Sequence, residues 1–108
     1  MQGCFLKFYV AENRRHRHKL VYEWLLEEAK TLGLRGGSAF RAVAGFGRHG
    51  RLHEEHFFEL AGDLPVEVGF AVTHEEADRF IAHVGSQGLN LFYLRVPVEL
   101  GLTNNADA

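Results

Sequence analysis

The sequence predicts a single α+β domain in which strands and helices follow the order β-α-β-β-α-β. Three features of the chain indicate this order. Two segments carry apolar residues at helical spacing, four shorter segments are rich in β-branched and aromatic residues, and glycine or polar clusters separate them. The length of 108 residues suits one domain with one core. We therefore expect residues 1–102 to form this domain and residues 103–108 (TNNADA) to be a disordered tail.

The first half of the chain predicts a β-α-β unit. A strand is expected over residues 4–10 (CFLKFYV), followed by a polar loop at 11–18. Residues 19–32 then carry apolar side chains at helical intervals, with glutamates on the opposite face. Gly33 ends this helix well, because glycine adopts the left-handed conformation of a helix C-terminus at little cost. The second strand is predicted over residues 37–44 (GSAFRAVA).

The second half of the chain predicts a strand, a helix and a last strand. The third strand covers residues 65–72 (PVEVGFAV), and the last covers residues 89–98 (LNLFYLRVPV). Between them, Thr73 followed by Glu76 forms a capping box that opens the second helix. The glycines of residues 85–88 (GSQG) end that helix.

The predicted connections specify a ferredoxin-like sandwich. Right-handed crossovers make the first two strands parallel and place the third strand antiparallel between them. The first two strands then end, and the last begins, at one edge of the sheet. Three loops meet at this edge, namely 11–18, 45–64 and 85–88. The loop 45–64, of about twenty residues, is far longer than a hairpin connection, and loops of this length in compact domains are usually functional or disordered.

Cationic side chains are concentrated in two of these loops. Beside them, the glycine-rich bend at 45–50 (GFGRHG) offers exposed backbone N–H groups. This combination suits a phosphate or another anion. The alternative is a solvated basic rim that keeps the protein soluble. Seven of the twelve Lys and Arg residues are involved: Arg14, Arg15, Arg17, Lys19, Arg41, Arg48 and Arg51.

Three histidines of the long loop form a second candidate site. His49, His53 and His56 are spaced by four and three residues, so the last two share a face if the segment is helical. Neutral imidazoles are suitable ligands for zinc, copper or nickel. Two other interpretations remain open, namely ordinary surface histidines and a pH sensor.

Composition and motifs exclude several functional classes. The formal net charge of −2 argues against nucleic-acid binding. No segment approaches the roughly 20 apolar residues of a membrane span, and residues 1–10 lack the features of a signal peptide. Cys4 is the single cysteine, and no nucleophile motif or acidic dyad is present. We therefore expect a cytoplasmic protein that is not an enzyme and does not insert into membranes.

The central part of the chain resembles a known family. Residues 35–41 (RGGSAFR), Gly45-Phe46-Gly47, His53 and residues 63–66 (DLPV) resemble domain-of-unknown-function family 190, DUF190, whose members are P-II-like proteins. The resemblance covers roughly residues 4–98. It implies a ferredoxin-like subunit assembled as a homotrimer.

The wider P-II superfamily implies a ligand. Its members bind adenine nucleotides in clefts between subunits, beside a Gly-Phe-Gly-Arg-Gln segment similar to residues 45–49 here. This chain departs from their pattern, since Gly88-Leu89-Asn90-Leu91 lacks the acid and the lysine of their Gly-Asp-Gly-Lys element, and their C-terminal arginines are absent. The phosphates of ATP, ADP or AMP would therefore need other cations. The candidate ligand-binding residues are Arg14, Arg15, Lys19, Arg41, Gly45, Phe46, Gly47, Arg48, His49 and Gly88.

These observations leave three hypotheses for the function. The first is a trimeric signalling protein that senses a small anionic ligand, an adenine nucleotide, at its subunit clefts and then changes its hold on a partner protein, such as a membrane transporter or an enzyme. The second is a trimer that responds to divalent metals through His49, His53 and His56, like the cation-tolerance proteins of the same fold. The third is a protein-interaction module without a ligand.

Overall fold

The computed structural model of the chain describes residues 1–46 and 64–104. In these ranges no helix is long and apolar enough to cross a membrane. The elements in chain order are β1 (Gln2–Ala11), β2 (Arg15–His16), β3 (Lys19–Leu20), α1 (Val21–Thr31), β4 (Ser38–Arg41), β5 (Pro65–Val72), α2 (His74–Ser86) and β6 (Phe92–Glu99).

Four of the strands form one antiparallel sheet in the order β4-β5-β1-β6. Strand β5 pairs antiparallel with both β1 and β4, so β1 and β4 run parallel to each other. Strand β6 pairs antiparallel with β1, with Tyr9 opposite Phe92, and therefore begins where β1 ends. This is the α+β ferredoxin-like arrangement that the sequence predicts, including the insertion of β5 between β1 and β4.

The core lies between one face of this sheet and the two helices. Alternate residues of β1, including Leu6 and Phe8, are fully buried on this face. The ring of Phe8 meets Phe80 of α2 edge-on, with 5.7 Å between centroids. Leu25 of α1 is also fully buried. Each such side chain stabilises the fold by about 1.5–3 kcal/mol through burial, so the sheet and the helices depend on this layer.

The opposite face of the sheet carries the other residues of β1 and their cross-strand neighbours. Tyr9 lies opposite Phe92, and Phe5 lies opposite Val96. On this face Phe92 and Val96 are each 42% exposed, and Phe40 of β4 is 64% exposed. The described helices pack on the other side, so this open face presents large apolar side chains to its surroundings.

A small hairpin begins within the predicted polar loop at residues 11–18. Strands β2 and β3 pair as Arg15 with Leu20 and His16 with Lys19. The turn residues Arg17 and His18 have positive φ angles of 51° and 70°, as in a type I′ turn. Such turns usually carry glycine or asparagine, so the local sequence contains no signal for this one.

Other element boundaries also differ from the prediction. Helix α1 begins at Val21 rather than residue 19, because Lys19 and Leu20 pair in the hairpin. Strand β4 ends at Arg41 rather than residue 44, after which Ala42 N–H still donates to the carbonyl of Pro65 at 2.9 Å. Strand β6 begins at Phe92, three residues later than expected.

Helix α2 begins with the capping box that the sequence predicts. The backbone N–H of Glu76 donates to Oγ1 of Thr73 at 3.1 Å, and the backbone N–H of Thr73 donates to Oε1 of Glu76 at 2.8 Å. Both bonds satisfy donors that would otherwise lack an intrahelical partner.

The variant Thr73→Ala should lower the free energy of unfolding by about 1 kcal/mol, because the first turn of α2 loses its side-chain acceptor. Urea denaturation followed by circular dichroism measures this change. Thr103→Ala is the matched control, since Thr103 is exposed near the end of the described chain. Equal stability of the two variants would contradict a stabilising role for the cap.

Gly3 lies where the sheet has no space for a side chain. A Cβ atom added there would overlap the carbonyl oxygen of Val72 and lie 2.7 Å from Cδ1 of Leu100. Gly3→Ala should therefore lower the free energy of unfolding by about 1–3 kcal/mol, as overpacking does. At Gly36 an added Cβ meets no atom within 4 Å, so Gly36→Ala should be close to neutral in the same denaturation experiment.

Candidate functional site

A cleft of about 960 Å³ opens at the edge of the sheet where β1 and β4 end and β5 and β6 begin. The sequence predicts that the loops 11–18, 45–64 and 85–88 meet at this edge. The ends of the strands and the segments next to them supply its walls. The lining residues are Tyr9, Val10, Ala11, Arg14, Phe40, Arg41, Ala42, Ala44, Phe46, Pro65, Glu67, Asn90, Leu91, Phe92, Tyr93 and Leu94.

Two cations among the described residues line the cleft. Arg14 is held by its backbone, because its N–H donates to the carbonyl of Ala11 at 3.1 Å and its carbonyl accepts from Val21 N–H at 2.8 Å. This fixes Arg14 between the end of β1 and the start of α1. Arg41 is the last residue of β4 and lies opposite Val66 of β5. The two arginines thus reach one cleft from different segments of the chain.

Arg41 forms an ion pair with the carboxylate of Glu12. The backbone N–H of Glu12 donates to the carbonyl of Leu64 at 3.0 Å, which holds Glu12 beside the first residues of β5. The side chain of Arg41 is 62% exposed and that of Glu12 is 23% exposed. An ion pair with this much solvent contributes about 0–1 kcal/mol to stability, so it is easily exchanged for another partner.

Aromatic rings form much of the remaining wall. Tyr9 and Phe92 lie side by side on neighbouring strands, with 5.9 Å between ring centroids. Phe40 and Phe46 are 64% and 71% exposed. Where exposed rings lie beside cations, the rings can contact the planar part of a ligand and the cations can contact its charged part.

A polar network crosses the open face beside these rings. The hydroxyl of Tyr9 donates to Oε2 of Glu67 at 3.1 Å, and Nζ of Lys7 lies 3.4 Å from Oε1 of the same carboxylate. Burial, together with the hydrogen bond to Glu67, raises the pKa of Tyr9 above its ordinary value. Tyr9 therefore remains a hydrogen-bond donor at neutral pH, and Lys7 offsets the charge of Glu67.

The structure separates the candidate residues chosen from the sequence. Arg14, Arg41 and Phe46 line the cleft, and Gly45 lies at its margin, where an added Cβ would be 3.4 Å from Pro65. The remaining described candidates do not line it. The candidates Gly47, Arg48 and His49, with His53 and His56 of the metal hypothesis, lie outside the described residues.

Three candidates have other roles in the described structure. Nη1 of Arg15 donates to the carbonyl of His18 at 3.0 Å within the hairpin. Lys19 pairs with Glu27 of α1, and this hydrogen bond raises the pKa of Lys19. Gly88 follows α2 with a φ of 76°, a conformation that favours glycine, so its role there is to end the helix.

Sequence reasoning missed Glu12, Tyr9 and Glu67. The contacts of these residues depend on which positions of β1, β4 and β5 lie opposite each other. Local sequence patterns do not give this register. The alternation of β1 could have placed Tyr9 on the open face, since Phe8 belongs to the core. Within residues 1–46 and 64–104, no group of three or more His, Cys, Asp or Glu side chains is arranged to hold a metal ion.

Comparison with known proteins places the chain in a family. Residues 3–90 match the family model DUF190, described as an uncharacterised ACR. A UPF0166 protein of Aquifex aeolicus is 34% identical over 79 residues, which are 73% of this chain and 75% of that protein.

Solved structures share the fold at low sequence identity. A PII-like signalling protein of Thermus thermophilus superposes with a TM-score of 0.61 at 18% identity, covering 91% of this chain and 88% of that protein. CPII of Thiomonas intermedia, a nitrogen regulatory PII-like protein bound to ADP, AMP and bicarbonate, gives a TM-score of 0.58 at 15% identity, covering 94% and 96%. The family and fold expected from the sequence are thus confirmed: this chain belongs to the DUF190 family and has the ferredoxin-like fold of PII-like proteins.

Proposed function

We propose that this chain is a PII-like regulatory protein, cytoplasmic and without catalytic activity, that senses an adenine nucleotide in the cleft at the edge of its sheet. One observation carries the proposal: Arg14 and Arg41 share a single cleft with exposed aromatic rings. Cations and rings in one cavity match the two chemical parts of a nucleotide.

The phosphates would bind the guanidinium groups of Arg14 and Arg41. Guanidinium donors form charge-assisted hydrogen bonds with phosphate oxygens, each worth about 1.5–3 kcal/mol. The two side chains come from separate segments, so one phosphate chain can bridge them. This bridge would tie the region before α1 to the end of β4.

The base would pack on the aromatic part of the wall. Tyr9 and Phe92 offer a partly exposed pair of rings, and Phe40 lies on the same open face. Stacking on such rings contributes about 1–3 kcal/mol per base in nucleic-acid complexes. The complex of CPII with ADP and AMP supports this choice of ligand, because CPII shares the fold.

The functional unit would be a homotrimer. The open face carries exposed Phe92, Val96 and Phe40, and apolar surface of this kind favours association. The cleft opens onto the same face, since Tyr9, Phe40 and Phe92 belong to both. A neighbouring subunit would thus complete the cleft, and nucleotide binding would alter the surface offered to a partner protein, such as a membrane transporter or an enzyme.

Light scattering at micromolar concentration should give three times the subunit mass of 12.2 kDa. Val96→Asp should reduce the mass towards that of a monomer, because a buried carboxylate in the interface would be costly. Val43→Asp is the matched control: Val43 is 97% exposed and lies beyond the end of β4. A monomeric unmodified protein would contradict the trimer and the shared cleft.

Calorimetry with ATP tests the cations directly. The double variant Arg14→Gln with Arg41→Gln should bind ATP about 100-fold more weakly, since each lost contact removes a charge-assisted hydrogen bond. Added salt should weaken ATP binding to the unmodified protein as well. The matched control is Arg15→Gln with Lys19→Gln, which removes two positive charges that do not line the cleft.

The outcomes separate the three hypotheses. Equal losses in both double variants would show that only overall charge matters and would contradict the assignment of Arg14 and Arg41. If ATP does not bind but zinc does, and His53→Ala with His56→Ala abolishes zinc binding, the metal-responsive protein is the better account. If neither ATP nor zinc binds, a protein-interaction module without a ligand remains.

A further inference from the structure

We propose that Glu12 is an internal competitor for the anion: in the unliganded protein its carboxylate occupies Arg41, and an incoming phosphate must displace it. This inference rests on the proposed function, because it concerns the regulation of the same cleft. The result is a lower affinity for anions, because an anion that does not replace the carboxylate on Arg41 contacts Arg14 alone.

The ion pair is built into the end of the sheet. Glu12 follows the last residue of β1, and Arg41 ends β4, with the start of β5 between them. Glu12 N–H donates to the carbonyl of Leu64 at 3.0 Å, and Ala42 N–H donates to the carbonyl of Pro65 at 2.9 Å. Both backbones are therefore fixed to consecutive residues of one segment, which keeps the two side chains within reach of each other.

Arg41 and Glu12 meet on the side of the sheet that carries the helices. Val10 and Val66 lie opposite each other and are both buried towards the helices. Glu12 comes two residues after Val10, and Arg41 lies opposite Val66. Arg41 therefore shares the face of Val66, and the ion pair brings Glu12, just beyond the end of β1, to the same side at the rim of the cleft.

The two arginines of the cleft differ in their partners. Arg14 has no side-chain hydrogen bond or ion pair with another residue of the described ranges, whereas Arg41 is paired with Glu12. An anion can therefore contact Arg14 first and reach Arg41 only by replacing Glu12. Carboxylate and phosphate both fit the planar donor fork of a guanidinium, so one replaces the other without loss of geometry.

The exposure of the pair makes displacement feasible. Arg41 is 62% exposed, so the carboxylate holds it weakly, as in other solvent-exposed ion pairs. After displacement, the charge of Glu12 remains near the bound anion and opposes it. Both effects lower affinity in the unmodified protein. The opposite view, that Glu12 orients Arg41 for the ligand, predicts that its removal weakens binding.

Titration with inorganic triphosphate, followed by calorimetry, distinguishes these views. Glu12→Gln should bind triphosphate about five- to tenfold more tightly than the unmodified protein. Glu27→Gln is the matched control, because it also removes one negative charge and breaks an exposed ion pair, that of Lys19, outside the cleft. It should change the affinity by less than about twofold.

A second background tests whether Glu12 acts through Arg41. In Arg41→Gln protein, the further change Glu12→Gln should raise triphosphate affinity by clearly less than it does in the unmodified protein, because the competed group is absent and only the repulsion by the Glu12 charge remains. A gain of the original size in that background would overturn the mechanism. Glu12→Ala should bind as tightly as Glu12→Gln, and thermal unfolding of each variant confirms that it is folded.

The remaining outcomes separate this inference from the proposed function. Unchanged or weaker binding by Glu12→Gln would overturn the competition, while triphosphate binding by the unmodified protein would still support the cleft. An equal gain in Glu27→Gln would also overturn it, since charge alone would explain the change. If Glu12→Gln binds triphosphate and the unmodified protein does not, the competition is supported. If no protein binds triphosphate, both the competition and the anion site fall.

Discussion

The pairing of β5 with β1 and β4 determines which side chains lie in the core, on the open face and at the rim of the cleft. Eight residues of β5 face β1, from Val72 opposite Cys4 to Pro65 opposite Ala11, and four of them also face β4. A slip of one residue would turn every side chain of β5 to the other face. It would place Glu67 in the core and Val68 in solvent. The register therefore fixes the core, the open face and the rim of the cleft together.

The side chains of β1 alternate between the two faces of the sheet, and the two sets have different roles. Leu6 and Phe8 build the core against the helices, while Phe5 and Tyr9 point to the open face. The core side stabilises the folded domain. The open side combines apolar rings with the Lys7–Glu67–Tyr9 network, so this face carries defined polar groups as well as apolar area. One strand thus links the core to the open face and to the cleft.

Local patterns were enough for the order of elements, the capping box at Thr73 and the edge where the cleft lies, because each follows from periodicity, a short motif or connection handedness. The hairpin of residues 15–20 was not predictable, since Arg17 and His18 adopt positive φ without the usual turn residues. The Glu12–Arg41 pair was missed for a different reason. Its partners are far apart in sequence and meet only through the register of β5.

Several cations in and beside the predicted cation-rich loops are paired with carboxylates. Lys19 pairs with Glu27, and Arg41 pairs with Glu12. Lys7 is likewise paired, with Glu67. With a net charge of −2 on the chain, long-range attraction of an anion is weak. Under the proposed function, recognition would then come from exchange of partners at short range, and selectivity would depend on how well a ligand replaces a carboxylate on a guanidinium.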